Sequence, residues 1–412
     1  MDQTLINIKR IIPTSLFNIL QPAYHRTLAF AAAVRYGFPS RHIKVIAVTG
    51  TKGKSTTTEI INAIFEQAGK KTALTNTIRF KIAGASERNL FKMSMPGRFT
   101  MQRMLRRAVS AGCEYFICEM TSQGSLLFRH KHIDIDTLIF TNLSPEHIEA
   151  HGSYENYVQA KLDLARALAT SHKHGKQTTL IVNADDAEAG RFLACDADTK
   201  LTYSLKKGFS YITPLQGIFN QYNILGAVTC AKHEGISDAD ISTAVSTFGH
   251  VPGRVEKVTV GPDQKFDVIV DYAHTADSLE KLYTVFKDRG IIAVLGGTGG
   301  GRDTAKRAVM GRLADTYARV VILTDEDPYD EDPRKIVGDV AQGVTSKKPI
   351  IIMDRREAIR EAIKQAKPGE AVLITGKGTD PYIMGPRGTK ISWSDSEIAR
   401  EELIAAGYRK SC

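Results

Sequence analysis

A short apolar run, a glycine-containing loop and an amphipathic segment constrain this chain more than any other feature. Residues 45–48 (VIAV) are apolar and mostly β-branched, which is typical of a buried strand. The loop 49–55 (TGTKGKS) follows, and apolar residues then recur at helical spacing from Ile60 to Ala68, where Gly69 offers a C-terminal stop. A strand, a glycine loop and a helix in this order direct backbone N–H groups at a phosphate. The sequence therefore predicts a phosphate-binding loop within an α/β domain.

The side chains of this loop have the chemistry that ATP and its metal ion need. We expect Lys54 to reach the terminal phosphates and the Ser55 hydroxyl to ligate Mg²⁺. Val48 stands where the usual phosphate-binding pattern has its first glycine, so an ordinary glycine turn in a βα unit is the alternative interpretation. The predicted nucleotide-binding residues of the loop are Gly50, Thr51, Lys52, Gly53, Lys54, Ser55 and Thr56.

The charge balance limits the classes of partner. The chain has 412 residues and a formal net charge of +10, which favours anionic partners. Basic and aromatic residues do not interleave in a patch, so polyphosphate substrates explain the charge better than nucleic acid does. The five cysteines lack paired metal-type spacing, which indicates reduced thiols in a cytoplasmic protein.

The N-terminal stretch 11–38 is apolar but is interrupted by Pro13, Pro22, Arg26 and Arg35. No apolar span in the sequence reaches the length that crosses a membrane, and the N-terminus lacks the order of a signal peptide. We therefore expect helices that pack on the neighbouring domain and no stable membrane insertion. Weak contact with a membrane surface is the alternative for this basic, aromatic-containing stretch.

Apolar strands alternate with helical stretches through most of the chain, which predicts α/β domains with mainly parallel sheets. The pattern breaks at the proline–glycine turn 251–254, a candidate hinge. We therefore predict a helical segment over 1–40, a central nucleotide-binding domain over 41–250 and a Rossmann-like domain over 251–412. The expected strands are 115–118, 137–140, 179–182, 268–270, 291–295, 320–323, 350–352 and 371–374, and the expected helices include 100–111, 154–168 and 223–233.

Further residues of the central domain carry chemistry. Glu119 ends a predicted strand, where a carboxylate is well placed to ligate Mg²⁺ directly or through water. The loop 140–152 (FTNLSPEHIEAHG) holds two histidines and two carboxylates, which favours contact with a metal ion or a substrate over packing. Lys161 lies in a helical stretch and, on periodicity alone, would be an ordinary surface lysine.

These segments, taken in order, resemble those of the Mur ligases, a family that makes peptidoglycan precursors. The loop 49–55 is similar to the shortened phosphate-binding loop of that family and of the related folylpolyglutamate synthases. The family places a lysine that reacts with CO₂ fourteen residues after the histidine of its Thr-Asn-Leu-x-x-(Asp/Glu)-His loop, and Lys161 follows His147 at this distance. The resemblance implies catalytic roles for Lys54, His147 and carbamylated Lys161. It implies metal ligation by Ser55, Glu119, His147 and Lys161.

Segments nearer the C-terminus extend the resemblance over nearly the whole chain. Residues 218–227 (IFNQYNILGA) resemble the family's adenine-side segment, which implies contacts from Asn220 and Asn223. Arg254 belongs to a Pro-Gly-Arg that reaches the nucleotide in the family. Asp271 and His274 belong to an Asp-Tyr-Ala-His-Thr run that resembles the family's contact with ribose and phosphates.

The most similar branch is that of the UDP-N-acetylmuramyl-tripeptide synthetases, which add the third residue of the stem peptide. Three segments carry this likeness: 300–307 (GGRDTAKR), 119–122 (EMTS) with a following arginine, and 376–378 (GKG). The residues that the resemblance implies for substrate binding are Ser94, Thr121, Ser122, Arg129, Arg302, Asp327, Tyr329, Gly376 and Asp380.

Three departures from that branch bear on the substrates. About 43 residues precede the first strand, whereas these synthetases carry a whole domain there that grips UDP, so we expect that domain to be lacking. Their Asp-Asn-Pro-Arg stands here as 326–329 (EDPY), and Thr379-Asp380 replaces a His-Glu pair. Tyr329 lacks the guanidinium that forks onto a distal carboxylate, and six acidic residues between 325 and 332 would attract a distal amine.

The sequence thus predicts an ATP-dependent ligase that joins an amino acid to a muramyl-peptide acceptor through an acyl phosphate, with two domains that close over ATP. The acceptor and the amino acid are its small-molecule partners. One alternative is a related ligase that acts on poly-γ-glutamate or a folate-type substrate. Another is a nucleotide-dependent partner subunit that completes no ligation.

Overall fold

The computed structural model describes residues 14–146, 148–171, 177–301 and 304–408, with backbone alone for 14–19, 148 and 149. These residues form two compact units. The first contains the described residues up to Ile212 together with Phe219–Thr247, and the second contains Thr213–Ile218 and the described residues from Phe248 onward. In the described ranges, no helix is both long enough and apolar enough to cross a membrane.

The first unit is built on a mainly parallel sheet. Its described strands lie in the order β4-β3-β2-β5-β1-β6-β7-β8, and β3 and β4 run antiparallel to their neighbours. The strands are β1 Lys44–Thr49, β2 Thr72–Thr75, β3 Arg79–Ile82, β4 Ala85–Arg88, β5 Tyr115–Glu119, β6 Thr137–Phe140, β7 Thr179–Asn183 and β8 Thr199–Tyr203. The helices are α1 Thr14–Tyr36, α2 Lys54–Gln67, α3 Arg98–Ser110, α4 Ser122–Leu126, α5 Ile148–His151, α6 Tyr154–Arg166, α7 Ala189–Leu193, α8 Ile218–His233 and α9 Asp238–Thr247.

The central strand and the helix after it form because their apolar residues meet. All four residues of 45–48 are fully buried, as a parallel strand covered on both faces requires. Helix α2 buries Ile60, Ile61, Ile64 and Phe65, each worth about 1.5–3 kcal/mol when removed from water. The chain leaves α2 through Gly69, whose φ of 72° is the left-handed conformation expected of a helix stop. This βα unit therefore places the loop 49–55 at the carboxyl edge of the sheet.

The second unit is also a sheet covered on both faces. Its described strands lie in the order β13-β12-β11-β14-β10-β9, all parallel except β9, and β15 and β16 form a separate hairpin. The strands are β9 Glu256–Val258, β10 Asp267–Asp271, β11 Ile291–Leu295, β12 Ala318–Leu323, β13 Ile350–Ile351, β14 Ala371–Thr375, β15 Tyr382–Met384 and β16 Lys390–Ser392. The helices are α10 Ala276–Val285, α11 Ala305–Tyr317, α12 Pro333–Ala341, α13 Arg355–Gln365 and α14 Asp395–Ala405.

Side chains alternate between two separate cores along the strands of this second sheet. Val268 and Val270 of β10 pack in one core, whereas Ile269 between them packs in the other. Because successive residues of a strand point to opposite faces, a run that is apolar throughout must be covered on both sides. The predicted α/β fold class is confirmed in both units.

Several elements differ from the sequence prediction. Helix α8 begins at Ile218, five residues before the predicted start, and inside it Asn223 Nδ2 donates to Asn220 Oδ1 (3.1 Å). The strands β2, β3, β4, β8, β9, β15 and β16 were not predicted. Strand β4 is exposed along its whole length and β3 is short and half polar, so neither shows the apolar alternation on which the prediction depends.

A buried ion pair anchors α14 to the second unit and gives a stability prediction. The Arg355 guanidinium forks onto the Asp395 carboxylate with two bonds of 2.8 Å, and both side chains are fully buried. We expect Asp395→Ala to lower the free energy of unfolding of this unit by about 3–5 kcal/mol, because it leaves a buried guanidinium unpaired. Urea unfolding monitored by the fluorescence of Trp393, the only tryptophan of the chain, measures the change.

The matched control is an exposed ion pair on α13, the helix that carries Arg355. Arg360 and Glu357 of α13 are 2.6 Å apart, and both side chains are about half exposed. Because water solvates both groups, Glu357→Ala should leave the midpoint unchanged. Equal midpoints for Asp395→Ala and Glu357→Ala would contradict the prediction.

Candidate functional site

The loop after β6 holds the phosphate-binding loop in place. Thr51 N donates to the Asn142 carbonyl (2.8 Å) and Lys52 N donates to Asn142 Oδ1 (2.9 Å). Thr141 Oγ1 donates in turn to the Lys52 carbonyl (2.7 Å). Since β1 and β6 are parallel neighbours, the loops at their carboxyl ends lie side by side. The predicted loop 49–55 is therefore braced by residues for which the sequence analysis predicted no such role.

Helix α8 contacts the other end of the loop. Gly53 begins α2 with a φ of 85°, and a Cβ atom at this position would lie 2.2 Å from Asn223 Oδ1. Thr57 Oγ1 also donates to Asn223 Oδ1 (3.4 Å). Only glycine fits here, because both the backbone conformation and the approach of Asn223 exclude a side chain. Of the predicted nucleotide contacts, Asn223 thus lies directly against the phosphate-binding loop, and Asn220 is hydrogen-bonded to Asn223.

Two lysines converge on the carbonyl of Gly50. Lys54 Nζ donates to this oxygen (2.9 Å) and to the Thr51 carbonyl (2.8 Å), and Lys161 Nζ donates to the same Gly50 oxygen (2.6 Å). The Lys161 side chain is only 2% exposed, and its Nζ lies 4.9 Å from the centre of the Tyr157 ring. Burial, and then the positive charge of Lys54, lower the pKa of Lys161 well below its usual value. Lys161 is therefore not the surface lysine that periodicity alone predicts.

Aromatic and histidine rings line the wall beside Lys161. Tyr157 OH lies 2.9 Å from Thr51 Oγ1, so α6 and the loop are joined through a hydroxyl pair. The His151 ring packs edge-on against Tyr157, with centroids 5.1 Å apart, and is 8% exposed. Burial, and then Lys161, lower the pKa of His151. His147, predicted as catalytic and metal-ligating, lies outside the described residues.

Glu119 lies beside the start of the loop, as its strand position predicts. It pairs in register with Val48 of β1 and is fully buried. Its two carboxylate oxygens accept from Thr77 N (3.1 Å) and from Thr77 Oγ1 (2.9 Å), and Thr77 Oγ1 lies 2.6 Å from Ser94 Oγ. This chain of contacts connects Ser94, predicted to bind substrate, with Glu119, predicted to bind metal.

The described part of the chain contains no cluster of three or more histidine, cysteine, aspartate or glutamate side chains placed to hold a metal ion. Ser55 lies buried in the first turn of α2, where its hydroxyl follows the loop directly. Ser55, Glu119 and Lys161 are the predicted metal ligands that lie in the described residues.

The remaining predicted substrate residues of this unit divide into two groups. Arg129 Nη1 donates to the Met95 carbonyl (2.5 Å), one residue from Ser94, so these two residues lie close together. Thr121 instead caps the short helix α4, since its Oγ1 accepts from Gly124 N (3.0 Å). Ser122 is buried behind that cap.

In the second unit, the predicted nucleotide contacts gather around Tyr272. The Arg254 guanidinium lies 4.4 Å from the centre of the Tyr272 ring, and the His274 ring meets it edge-on with centroids 4.6 Å apart. The Asp271 carboxylate accepts from Val255 N (2.7 Å) and from Ala273 N (2.7 Å). Arg254, Asp271 and His274 are therefore brought together at the carboxyl end of β10.

A buried lysine organises the predicted amino-acid site of the second unit. Lys377 is fully buried and its Nζ donates to Asp327 Oδ1 (2.7 Å) and to the Tyr382 carbonyl (2.6 Å), with Asp380 Oδ2 at 3.5 Å. Gly376 has a φ of 102°, and a Cβ atom there would lie 2.2 Å from the Glu326 carboxylate. The structure thus unites Asp327, Gly376 and Asp380, and Lys377 is a residue of this site that the prediction omitted.

The acidic residues around Tyr329 are largely occupied by internal partners. Asp327 binds Lys377, and Glu331 pairs with Arg307 (2.7 Å). Asp332 caps α12, and Asp330 accepts from Arg387 N (2.6 Å). Burial raises the pKa of Glu326, and its Oε1 accepts from Thr298 Oγ1 (2.9 Å). The interpretation that this cluster as a whole attracts a distal amine is therefore not supported by these contacts.

Sequence reasoning left some of these neighbours without a role. Asn142 lies in the loop 140–152 and Tyr157 in the predicted helix 154–168, but their contacts with the phosphate-binding loop depend on how β6 and α6 approach it.

Two further substrate residues are predicted in the C-terminal part of the chain. Arg302, predicted to bind substrate, lies outside the described residues. Tyr329 has a φ of 53°, and its N–H donates to the Met384 carbonyl (3.0 Å).

Comparison with known proteins agrees with these observations. The Mur ligase middle domain matches residues 48–213, and the Mur ligase, glutamate ligase domain matches residues 253–378. The UDP-N-acetylmuramoyl-L-alanyl-D-glutamate–2,6-diaminopimelate ligase of Synechococcus elongatus is 37% identical over 92% of this chain and 80% of its own length. The ligase of the same name from Syntrophomonas wolfei is 35% identical over 93% and 82%. A solved structure of a ligase of this name is 28% identical, with a TM-score of 0.59 over 88% of this chain and 79% of its own.

These matches, together with the braced phosphate-binding loop, define an ATP-dependent, ADP-forming ligase of carbon–nitrogen bonds. The relatives share more than a fold with this chain, because their identity exceeds one third over nearly its whole length. The chain belongs to the Mur ligase family.

The conformation of Gly53 gives a prediction for nucleotide binding. Gly53→Ala would place a methyl group against Asn223 and strain the backbone by about 1–3 kcal/mol. We expect the affinity for a fluorescent ATP analogue to fall by about tenfold or more. Gly84→Ala is the control, since no heavy atom lies within 4 Å of a Cβ atom there. Equal affinities in the two variants would contradict the role assigned to Gly53.

Proposed function

We propose that this protein adds an amino acid to a muramyl-peptide acceptor in peptidoglycan synthesis. One observation carries the proposal: a buried lysine with a lowered pKa, Lys161, shares the Gly50 carbonyl with the phosphate-binding lysine. Burying a second lysine beside the loop costs free energy, and a protein that only binds a nucleotide does not need such a lysine. The relatives that are named for adding diaminopimelate to such an acceptor support the choice of substrate class.

The reaction proceeds in two steps. An acceptor carboxylate oxygen attacks the γ-phosphorus of ATP. The bond from this phosphorus to the β–γ bridging oxygen breaks, which releases ADP and forms an acyl phosphate on the acceptor. The amine of the incoming amino acid then attacks the acyl carbon, loses a proton and displaces inorganic phosphate. Lys54 and the backbone N–H groups of the loop oppose the negative charge that builds on the phosphoryl group.

Lys161 is the proposed site of carbamylation. A neutral amine, but not an ammonium, can attack CO₂, and the product is a carbamate anion and a proton. Burial beside Lys54 disfavours the ammonium form, so the same environment that makes the cation costly increases the fraction of reactive amine. The carbamate would also replace a like-charged neighbour of Lys54 with an oppositely charged one.

The donors around the loop suit a magnesium ion. Ser55, Glu119 and the carbamate on Lys161 would supply oxygen ligands of the kind that Mg²⁺ prefers, and the family resemblance implies His147 as a further ligand. The bound ion would offset charge on the phosphates during transfer. Glu119 is held for this role by Thr77, whose N–H and hydroxyl fix the carboxylate.

An ADP-release assay tests the function directly. Release is expected only when ATP, a muramyl-dipeptide acceptor and an amino acid are all present, and a panel of amino acids identifies the one used. ADP release that needs neither the acceptor nor the amino acid would contradict ligation.

Replacement of Lys161 tests the carbamate. We expect Lys161→Ala to lower kcat by about 10²–10³-fold, because the charge on the phosphoryl group loses a partner of the kind worth about 3–4 kcal/mol. Formate or acetate should partly restore activity by supplying a carboxylate in the space left. Arg166→Ala, an exposed change on the same helix, should retain activity. Wild-type activity in Lys161→Ala would exclude the carbamate.

Tyr329 leads to a prediction about the amino acid. Its neutral hydroxyl stands where the resemblance places a guanidinium for a distal carboxylate, so lysine or ornithine should be used at least as well as meso-diaminopimelate. This expectation now rests on Tyr329 alone, since the acidic residues nearby have internal partners. Measured with one acceptor, kcat/KM for lysine or ornithine should equal or exceed kcat/KM for meso-diaminopimelate. A preference of about a hundredfold for diaminopimelate, roughly 2.7 kcal/mol, would refute it.

A further inference from the structure

The side of α1 that faces away from the rest of the first unit is apolar. The inward side of this helix consists largely of buried alanines. On the outward side, at helical spacing, Leu20, Phe30 and Val34 are 48%, 52% and 53% exposed. We call this outward side the α1 face, and its members are Leu20, Ala23, Tyr24, Thr27, Phe30, Ala31 and Val34.

The α1 face has few polar atoms. Thr27 Oγ1 donates to the Ala23 carbonyl (2.9 Å) of its own helix, so this hydroxyl is satisfied without water. Tyr24 supplies the other side-chain hydroxyl, at the end of a ring that is otherwise apolar. A tyrosine of this kind suits a boundary between an apolar medium and water, because one end of the side chain is apolar and the other is wet.

Exposed apolar side chains are concentrated around the α1 face. Among the described residues, nine of the fifteen large apolar side chains that are exposed lie in three segments, which are 14–36, 89–110 and 120–133. Helix α1 contacts the other two segments. It packs on α3, the Arg26 guanidinium lies 4.8 Å from the centre of the Phe128 ring, and the Phe30 and His132 rings meet edge-on with centroids 5.4 Å apart. Scattered apolar residues are normal on a protein surface, but such a concentration indicates a contact surface.

The charge around the α1 face has one sign. The same three segments contain no aspartate and no glutamate. Their exposed arginines include Arg26 and Arg35 on α1 and Arg103 and Arg107 on α3. An apolar surface with basic neighbours and no acidic ones complements a partner that is apolar inside and anionic at its boundary.

We infer that the α1 face binds the surface of an anionic lipid membrane, with α1 lying along the plane of the interface. The apolar side chains enter the boundary of the acyl region, and the arginines meet the phosphates of the headgroups. For the stretch 11–38, the sequence left contact with a membrane surface open as an alternative, and the α1 face supplies the residues for it. The inference is independent of ligation.

Two other partners fit the α1 face less well. A symmetric dimer would place this basic, carboxylate-free surface against a copy of itself, so that like charges would meet. Nucleic acid would satisfy the arginines but would leave the aliphatic side chains of Leu20 and Val34 without an apolar partner. A lipid surface satisfies both kinds of side chain.

Flotation of the full chain with phospholipid vesicles tests the inference. We expect binding to mixed vesicles of phosphatidylglycerol and phosphatidylcholine, and at least about tenfold weaker binding to phosphatidylcholine alone, because the arginines then lose the excess anionic charge. Leu20→Gln combined with Val34→Gln should weaken binding to the mixed vesicles by about tenfold or more, since two apolar side chains are lost. The matched control, Ile391→Gln combined with Ile404→Gln, removes two exposed apolar side chains from the second unit and should bind as the parent does.

A second pair of variants tests the charge. Arg26→Gln combined with Arg35→Gln should weaken binding to the mixed vesicles by about tenfold or more at low salt, and by less at high salt. Arg312→Gln combined with Arg400→Gln removes two exposed arginines from the second unit and should bind as the parent does. This pair decides the matter if the apolar variant lowers the thermal unfolding midpoint. ADP release without vesicles should be unchanged in all four variants.

Several results would overturn the inference. These are no binding of the parent to the mixed vesicles, or equal binding of each double variant and its control. Loss of binding in the arginine variant alone would mean adsorption by charge without any role for the apolar side chains. A dimer detected by light scattering that Leu20→Gln with Val34→Gln dissociates, without vesicle binding, would assign the α1 face to a second copy. Tighter binding to duplex DNA than to the mixed vesicles would assign it to nucleic acid.

Discussion

The carbonyl oxygen of Gly50 is the point on which the first unit depends. It accepts from Lys54 and from Lys161, so the phosphate-binding loop and helix α6 are tied through one backbone atom. The ammonium groups of Lys54 and Lys161 repel each other because both bind this one acceptor. Burial and this repulsion lower the pKa of Lys161. The loop can hold this arrangement because Asn142 and Tyr157 fix it from two sides. The reactivity proposed for Lys161 is thus a consequence of how the loop is held.

The buried lysine of the second unit, Lys377, has different charged neighbours. Lys377 lies against Asp327 and the Tyr382 carbonyl, with Asp380 close by, so its charge is matched by carboxylates. A buried cation with matched partners and satisfied donors orders the segments that meet at it. A buried lysine whose pKa is lowered by burial and by a second lysine is instead a candidate for chemistry. We therefore expect a structural role for Lys377 and a reactive role for Lys161.

The N-terminal helix joins the first unit through packing and polar contacts. Helix α1 packs on α3, Arg106 Nε donates to the Tyr36 carbonyl (2.8 Å), and the rings of Phe30, Phe38 and His132 meet edge-on or tilted. The sequence prediction of helices that pack on the neighbouring domain agrees with this contact. What the apolar pattern did not show is which side of this helix is buried, because apolar residues lie on both sides of it.

The sequence by itself determined the class of fold, the phosphate-binding loop and the family. The periodicity of strands and helices is a local pattern, and the spacing of Lys54, Lys161 and the glycines can be read directly from the sequence. Only the tertiary structure decided which lysine is buried beside which charge, that the acids near Tyr329 have internal partners, and that Asn142 braces the loop. These facts depend on contacts between residues tens of positions apart. A pKa or a neutralised carboxylate depends on three-dimensional surroundings that no local pattern encodes.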